Sequence, residues 1–330
     1  MLASLSQACL IARALAVCAV LAMTIQAPVS AAEWPTKPVT IIDPYSAGGT
    51  TDFIARVLAK HLSETLNQSF VVENRGGAGG TIGTARMAQS VPDGHTLLIN
   101  NMSIAFSKAL YPSLPYDTET DIAPVALIGS TPTILAVANS VKADSIKDLI
   151  SMAKTAPESL NFGSAGIGST GHMAMVALQR TADIEIQHIP YKGAGQALTD
   201  LIGGRIAIMM NTITPMVSNV KSGSIRGLAS SGSSRSAALP DVPTVAESGL
   251  PGFSYAPWFA FFAPAGTPPD VVQKIHAAIY EAVADPEVSA KLSQQGIELE
   301  RMSVEEFKTR YHSDIEEWTA TIHELGIKLQ

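Results

Sequence analysis

The sequence predicts an α/β chain folded as two lobes, each a parallel-rich sheet flanked by helices with a ligand cleft between them. Three observations carry that expectation. Short β-branched runs alternate with amphipathic helical stretches, the pattern of strand–helix–strand crossovers. At 330 residues the chain exceeds what one hydrophobic core supports. No flexible linker divides it, so a chain that leaves one lobe, builds the other and returns accounts for both.

Residues 1–32 read as an export leader: a weakly basic start with Arg13, an apolar run over 14–25, then Pro28 and small residues. Val29-Ser30-Ala31 and Ser30-Ala31-Ala32 both fit the small-x-small pattern, so cleavage is expected after Ala31 or Ala32. The run is short and lacks a basic stop-transfer flank, which disfavours an uncleaved anchor. Cys18 follows Val17 and apolar sequence continues past it, a poor lipoprotein site. Both cysteines, Cys9 and Cys18, leave with the leader. The mature chain then has no thiol, which suits an oxidising compartment and excludes cysteine chemistry.

Strands are expected at 39–42, 70–72, 96–99, 134–137, 160–162, 184–189, 206–210 and 225–229. The helix at 53–66 sets Phe53, Ile54, Val57, Leu58 and Leu62 on one face. Another helix covers 173–179. The aromatic stretch 254–264 reads as a buried strand crossing between lobes, with Trp258, Phe259, Phe261 and Phe262 as core. Helices at 268–284, 286–295 and 304–325 close the chain, the first opened by Pro268. Lobe one is expected to hold 33–131 and 255–330, and lobe two 132–254.

With 22 basic against 29 acidic residues the formal charge is −7, and no Lys/Arg cluster offers a phosphate footprint, so nucleic acid is excluded as a partner. The seven histidines show no metal-ligand spacing, and no metal or cofactor is expected.

Two similar segments run from a strand into a helix. The first holds Tyr45, Ala47, Gly48, Gly49, Thr50 and Asp52; the second holds Ser164, Gly166, Gly168, Ser169, Thr170 and His172. Glycines let backbone approach a ligand, hydroxyls donate, and a helix start presents unpaired N–H groups with a positive partial charge. That chemistry binds a small anion without a fixed cation. A cleft of a few hundred Å³ up to about 1,000 Å³ is expected between the two loops. Gly49 is expected to tolerate a bulky side chain worst, through blocked backbone approach and a forbidden φ.

Gly166 to Gly171 satisfies G-x-G-x-x-G, but the following strand ends in His188-Ile189-Pro190 rather than in an acidic ribose partner. Neither loop is a P-loop or a nucleophile elbow. Asp52 also reads as a helix cap, and His172 as a pocket wall. Glu73 to Gly83 is a third glycine-rich loop, with Glu73 and Arg75 in a surface ion pair as its structural reading.

Trp34-Pro35-Thr36-Lys37-Pro38, Tyr45 to Asp52, Val72 to Gly80, Asp93-Gly94-His95-Thr96, Pro190-Tyr191-Lys192-Gly193 and Leu239-Pro240-Asp241-Val242-Pro243-Thr244 recur in order across the mature chain. Together they resemble the Bug family, the extracytoplasmic substrate-binding proteins of tripartite tricarboxylate transporters. The resemblance implies a two-lobed, type II-like periplasmic binding protein rather than an enzyme. It implies a monomer that holds a small organic carboxylate (di-, tri- or aromatic) and delivers it to integral-membrane transporter subunits. The two loops become ligand loops, joined by Ser103, Tyr191 and Asn211.

This chain departs from the family at Ala47, where proline is usual, and at Ser107, near a common asparagine. It departs again at Asn211, where an aspartate often ends the strand. An amide there disfavours an amino-bearing ligand. Two other readings stay open: a sensor that presents its closed form to a signalling receptor, and a serine hydrolase using Ser169 with His172.

Overall fold

The computed structural model describes residues 34–324 and 326, so the leader and its cleavage site lie outside the described residues. The elements that follow all belong to one unit, Lys37–Gln330.

The chain begins with β1 (Val39–Asp43), whose apolar face is fully buried. Helix α1 (Thr50–Leu66) crosses to β2 (Phe70–Asn74), and α2 (Thr81–Ala88) crosses to β3 (Thr96–Asn101). Both strands pair parallel with β1, as crossover connections require. A short helix α3 (Ser103–Leu110) leads to β4 (Ile122–Ser130).

Thr131 and Pro132 then carry the chain into a second sheet. It contains β5 (Thr133–Val137), α4 (Ile146–Thr155), β6 (Asn161–Ser164), α5 (Thr170–Ala182), β7 (Gln187–Pro190), α6 (Ala194–Ile202), β8 (Ile208–Thr212), α7 (Val217–Lys221) and β9 (Arg226–Ser230). Residues 231–257 return the chain to the first sheet. There β10 (Trp258–Pro264) is followed by α8 (Pro269–Ala284), α9 (Pro286–Gln294), β11 (Glu298–Leu299) and α10 (Val304–Glu324).

The first sheet has the order β11-β4-β10-β3-β1-β2 and the second β7-β6-β8-β5-β9. Both are mixed rather than mainly parallel. β10 inserts antiparallel between β3 and β4, and β5 lies antiparallel to both β8 and β9. β5 and β10 are the strands by which the chain enters a sheet from the other one, with no crossover helix to set their direction; the short edge strand β11 also runs antiparallel to β4. β10 is buried on both faces, and its aromatic residues pack with Phe307 and Tyr311 of α10. It does not itself cross between sheets, contrary to the expectation for 254–264; the crossing is complete before Trp258. β4 escaped sequence reading because Pro124 and Gly129 interrupt it.

The outgoing and returning segments run side by side and are stitched together. Ser231 N–H donates to Thr133 O at 2.9 Å, Thr133 N–H to Ser231 Oγ at 2.8 Å, and Tyr255 N–H to Ser231 O at 2.8 Å. Thr131 N–H reaches Pro257 O at 3.2 Å. Two adjacent backbone crossings thus join the two sheets, an arrangement in which a few dihedrals separate one sheet from the other.

Candidate functional site

The strand-to-helix turns at the C-terminal ends of both sheets face each other. In the first sheet β1 ends at Asp43, and α1 starts at Thr50 with Gly49 as its N-cap and no capping side chain. Its first N–H groups therefore stay available. In the second sheet β6 ends at Ser164, and α5 starts at Thr170 with Ser169 as N-cap, its hydroxyl accepting from His172 N–H at 3.4 Å. The start of α6 at Ala194 points to the same place. Three helix N-termini thus converge on one cavity, and their partial positive charges add.

That cavity is lined by Tyr45, Gly49, Thr50, Ser169, Thr170 and Asn211 among the anticipated residues. Thr51, Asn101, Ala165, Ala194, Thr212 and Phe259 complete it. Among the described residues, no lysine, arginine or carboxylate lines it. Tyr45, the only ionisable side chain among the described lining residues, has its phenol pushed up by burial and stays neutral; its hydroxyl lies 2.5 Å from Ser103 Oγ and donates to Gly79 O at 3.1 Å. Asn211 is 4 % exposed, and its Nδ2 has no hydrogen-bond partner within the protein. A buried donor left unpaired is strongly disfavoured, so this one calls for an acceptor in the cavity.

The cavity measures about 20 Å³, room for a single water and far below the expected few hundred. Direct contact between the two sheets' loops accounts for the difference. Thr50 Oγ1 and Thr212 Oγ1 are 2.6 Å apart, and Tyr111 OH donates to Ile167 O at 3.0 Å. Gly79 packs so tightly that a Cβ there would lie 2.2 Å from Ile167 O. The third glycine-rich loop is therefore part of the junction, while its Glu73–Arg75 ion pair sits half-exposed as expected.

Several anticipated residues do not reach the cavity. Ala47 and Gly48 are exposed on the outer side of the first loop. Asp52 accepts from Gly48 N–H at 3.1 Å, Asn74 Nδ2 at 3.1 Å and the Arg56 guanidinium at 2.8 Å. Burial raises its pKa, but these donors outweigh it and hold the carboxylate below its usual range. Ser103 sits behind Tyr45, and Tyr191 OH donates to Asp200 Oδ2 at 2.7 Å. Gly166 and Gly168 shape the second loop from behind.

Ser164 and His172 face the opposite side of β6. Ser164 Oγ lies 2.7 Å from His188 Nε2, and the His172 and His188 rings stack at 4.3 Å. Burial depresses the His172 pKa to about 4, and burial with the neighbouring ring depresses His188 to about 3. His172 Nδ1 accepts from Gly168 N–H at 3.2 Å. It cannot also take a proton from Ser169, so the hydrolase pair is not assembled.

Gly49 is corrected as well. Its φ of −86° is open to any residue, and a Cβ would meet only Thr51 Oγ1 at 4.0 Å. Ser107 donates its hydroxyl to Ser103 O at 3.3 Å, and it is Asn101, upstream of it, that joins Asn211 in lining the cavity. The signal for Asn101 was in the sequence: polar Asn100-Asn101 directly follow the apolar run Leu97-Leu98-Ile99.

A larger groove of about 830 Å³ lies outside the first loop, along α1 and α9. Its cations are already neutralised: Arg56 by Asp52, Lys60 by Glu64 and Lys291 by Glu287.

The family model described as "Tripartite tricarboxylate transporter family receptor" matches residues 54–327. Protein BugT of Bordetella pertussis is 38% identical over 308 residues, covering 93% of this chain and 94% of that protein. The solved structure of periplasmic binding protein BugD superimposes with a TM-score of 0.86 at 31% identity, covering 90% of this chain and all of that one. An R. palustris protein solved with adipate gives 0.86 at 34% identity, with the same coverage.

Proposed function

Because the chain belongs to the tripartite tricarboxylate transporter receptor family, we propose that it captures a small organic carboxylate between its two sheets and presents it to integral-membrane transporter subunits. It is a substrate-binding protein and not an enzyme. The observation that carries the proposal is a neutral cavity where three helix starts converge on the unpaired amide of Asn211. A carboxylate placed there accepts from N–H groups, hydroxyls and that amide at once. The adipate held by the R. palustris relative has this chemistry.

Ligand-contacting roles fall to Tyr45, Gly49, Thr50, Ser169, Thr170 and Asn211, with Thr51, Asn101 and Thr212 added. Entry requires the two lobes, 33–131 with 255–330 and 132–254, to part at the stitched crossings. The leader directs export, cleavage after Ala31 or Ala32 frees the chain as a periplasmic monomer, and residues 1–32 play no part in capture.

A thermal-shift screen across acetate, succinate, adipate, citrate and benzoate tests the proposal. A carboxylate at one hundred times its Kd should add about 2.7 kcal/mol of apparent stability and raise Tm. The reading fails if no carboxylate shifts the transition while an amino acid or sugar does.

A further inference from the structure

The two loops carry the same short order of residue types, Gly48-Gly49-Thr50-Thr51-Asp52 and Gly168-Ser169-Thr170-Gly171-His172: a glycine, the helix N-cap, a threonine, one further residue and a polar side chain. The fold turns that order into one geometry, used twice. Both leading glycines lie in the left-handed region, Gly48 at φ +91° and Gly168 at φ +77°. Each donates its N–H forward to the side chain at the third helical position: Gly48 to Asp52 Oδ2 at 3.1 Å, Gly168 to His172 Nδ1 at 3.2 Å. A carboxylate oxygen and an imidazole Nδ1 are both bonded directly to Cγ, so two chemically different residues set an acceptor in the same place. In a capping box the third helical residue bonds back to the N-cap; here it reaches one residue further. The ring so closed encloses the N-cap and the first two helical residues. Among the described residues, the N–H groups of Thr50, Thr51, Thr170 and Gly171 meet no protein acceptor. Thr50, Thr51 and Thr170 line the cavity beside the unpaired amide of Asn211, and Gly171 packs against Asn211. Helix α6 has no such brace, since a lysine precedes its N-cap Gly193.

We infer that Asp52 and His172 are matched positioning residues, each locking the turn before its helix so that the first two helical N–H groups point into the cavity and hold one carboxylate from opposite sides. This rests on the carboxylate reading above. Neither side chain touches the ligand. The Asp52 charge is balanced outside the cavity by Arg56 at 2.8 Å, and a His172 ring that accepts through Nδ1 is neutral, so neither brace sets a net charge against an anion. Without its acceptor, a glycine-led turn samples other conformations, and affinity falls by the fraction that stays competent. The two loops differ in how much they lose. Gly48 is exposed, so water can replace the missing acceptor; Gly168 is buried, and its N–H is left unpaired.

Two substitutions at each position separate the acceptor from the packing. Leu and Asn branch alike at Cγ, and both remove the Asp52 charge or the His172 ring, but only Asn keeps an acceptor oxygen on Cγ. In calorimetry with succinate, His172→Leu should bind about tenfold more weakly than His172→Asn. Asp52→Leu should bind about threefold more weakly than Asp52→Asn. Equal affinities for the Leu and Asn variants of His172 overturn the inference and leave the carboxylate reading intact. Absence of binding of both succinate and adipate by the wild type overturns both.

Amide hydrogen exchange in the 15N-labelled wild-type protein gives a readout that needs no variant to fold. Without ligand, the Gly48 and Gly168 amides should exchange more slowly than those of Thr50, Thr51, Thr170 and Gly171, because only the glycine N–H groups are paired. Succinate should slow those four amides and shift their resonances, and leave the two glycines unmoved. Glycine amides that exchange as fast as the four, or ligand shifts confined to the glycines, overturn the inference.

Discussion

Asn211, next to last in β8, has Oδ1 toward Gly171 and its amide nitrogen unpaired among hydroxyls. Asn211→Asp keeps the shape but replaces that donor with a carboxylate, whose charge meets an incoming anion in a site with no cation. Succinate affinity should fall at least tenfold, about 1.4 kcal/mol, by titration calorimetry; unchanged affinity would make Asn211 a bystander. His172 acts differently, through stability. It is 8 % exposed, and its pKa is lowered from 6.5 to about 4 by burial, so the unfolded chain binds a proton that the folded chain refuses. Stability is complete above 6.5 and is lost as pH falls toward 4, by about 3 kcal/mol from this residue. His172→Gln should flatten the fall in urea midpoint between pH 7 and 4.5. An unchanged profile would assign the acid sensitivity elsewhere.

At the scale of elements, the two glycine- and hydroxyl-rich turns were legible because strand, turn and helix start each leave a local mark: a β-branched run, paired glycines, an apolar stripe. Their partners were not. Thr212, Ala194 and Phe259 come from other strands and helices, and only tertiary packing puts them at the cavity. The roles of the glycines were also hidden, since φ and close approach are properties of the folded backbone. Gly49 proved permissive, whereas Gly79, with φ +62° and Ile167 O in the way of any Cβ, cannot take a side chain without a shift at the junction. Gly79→Ala adds a left-handed penalty of about 1 kcal/mol and a backbone clash across the junction. It should hold the lobes apart, visible as a larger radius of gyration in scattering with saturating succinate present. A radius equal to wild type would show that the loop yields instead.

Across the whole molecule, alternation of strands and helices made the α/β class readable, but not the reversal of β5 and β10, because strand direction depends on which sheet the chain enters from. What results is two sheets joined by two stitched crossings, with the proposed capture site where their loops meet. On the proposed reading exchange requires the loops to separate, since the cavity between them is too small to admit a carboxylate otherwise. The Thr50–Thr212 contact offers a direct test. Their hydroxyl oxygens are 2.6 Å apart across the junction, near enough for sulfurs to approach the roughly 2.05 Å of a disulfide. The sequence after residue 32 holds no other cysteine to compete. A Thr50→Cys/Thr212→Cys variant, once oxidised, should neither take up nor release ligand, and reduction should restore exchange, although affinity stays lower because two hydroxyls are gone. If the oxidised form exchanges succinate at the rate of the reduced form, capture does not pass through separation of these loops, and the ligand enters by another route.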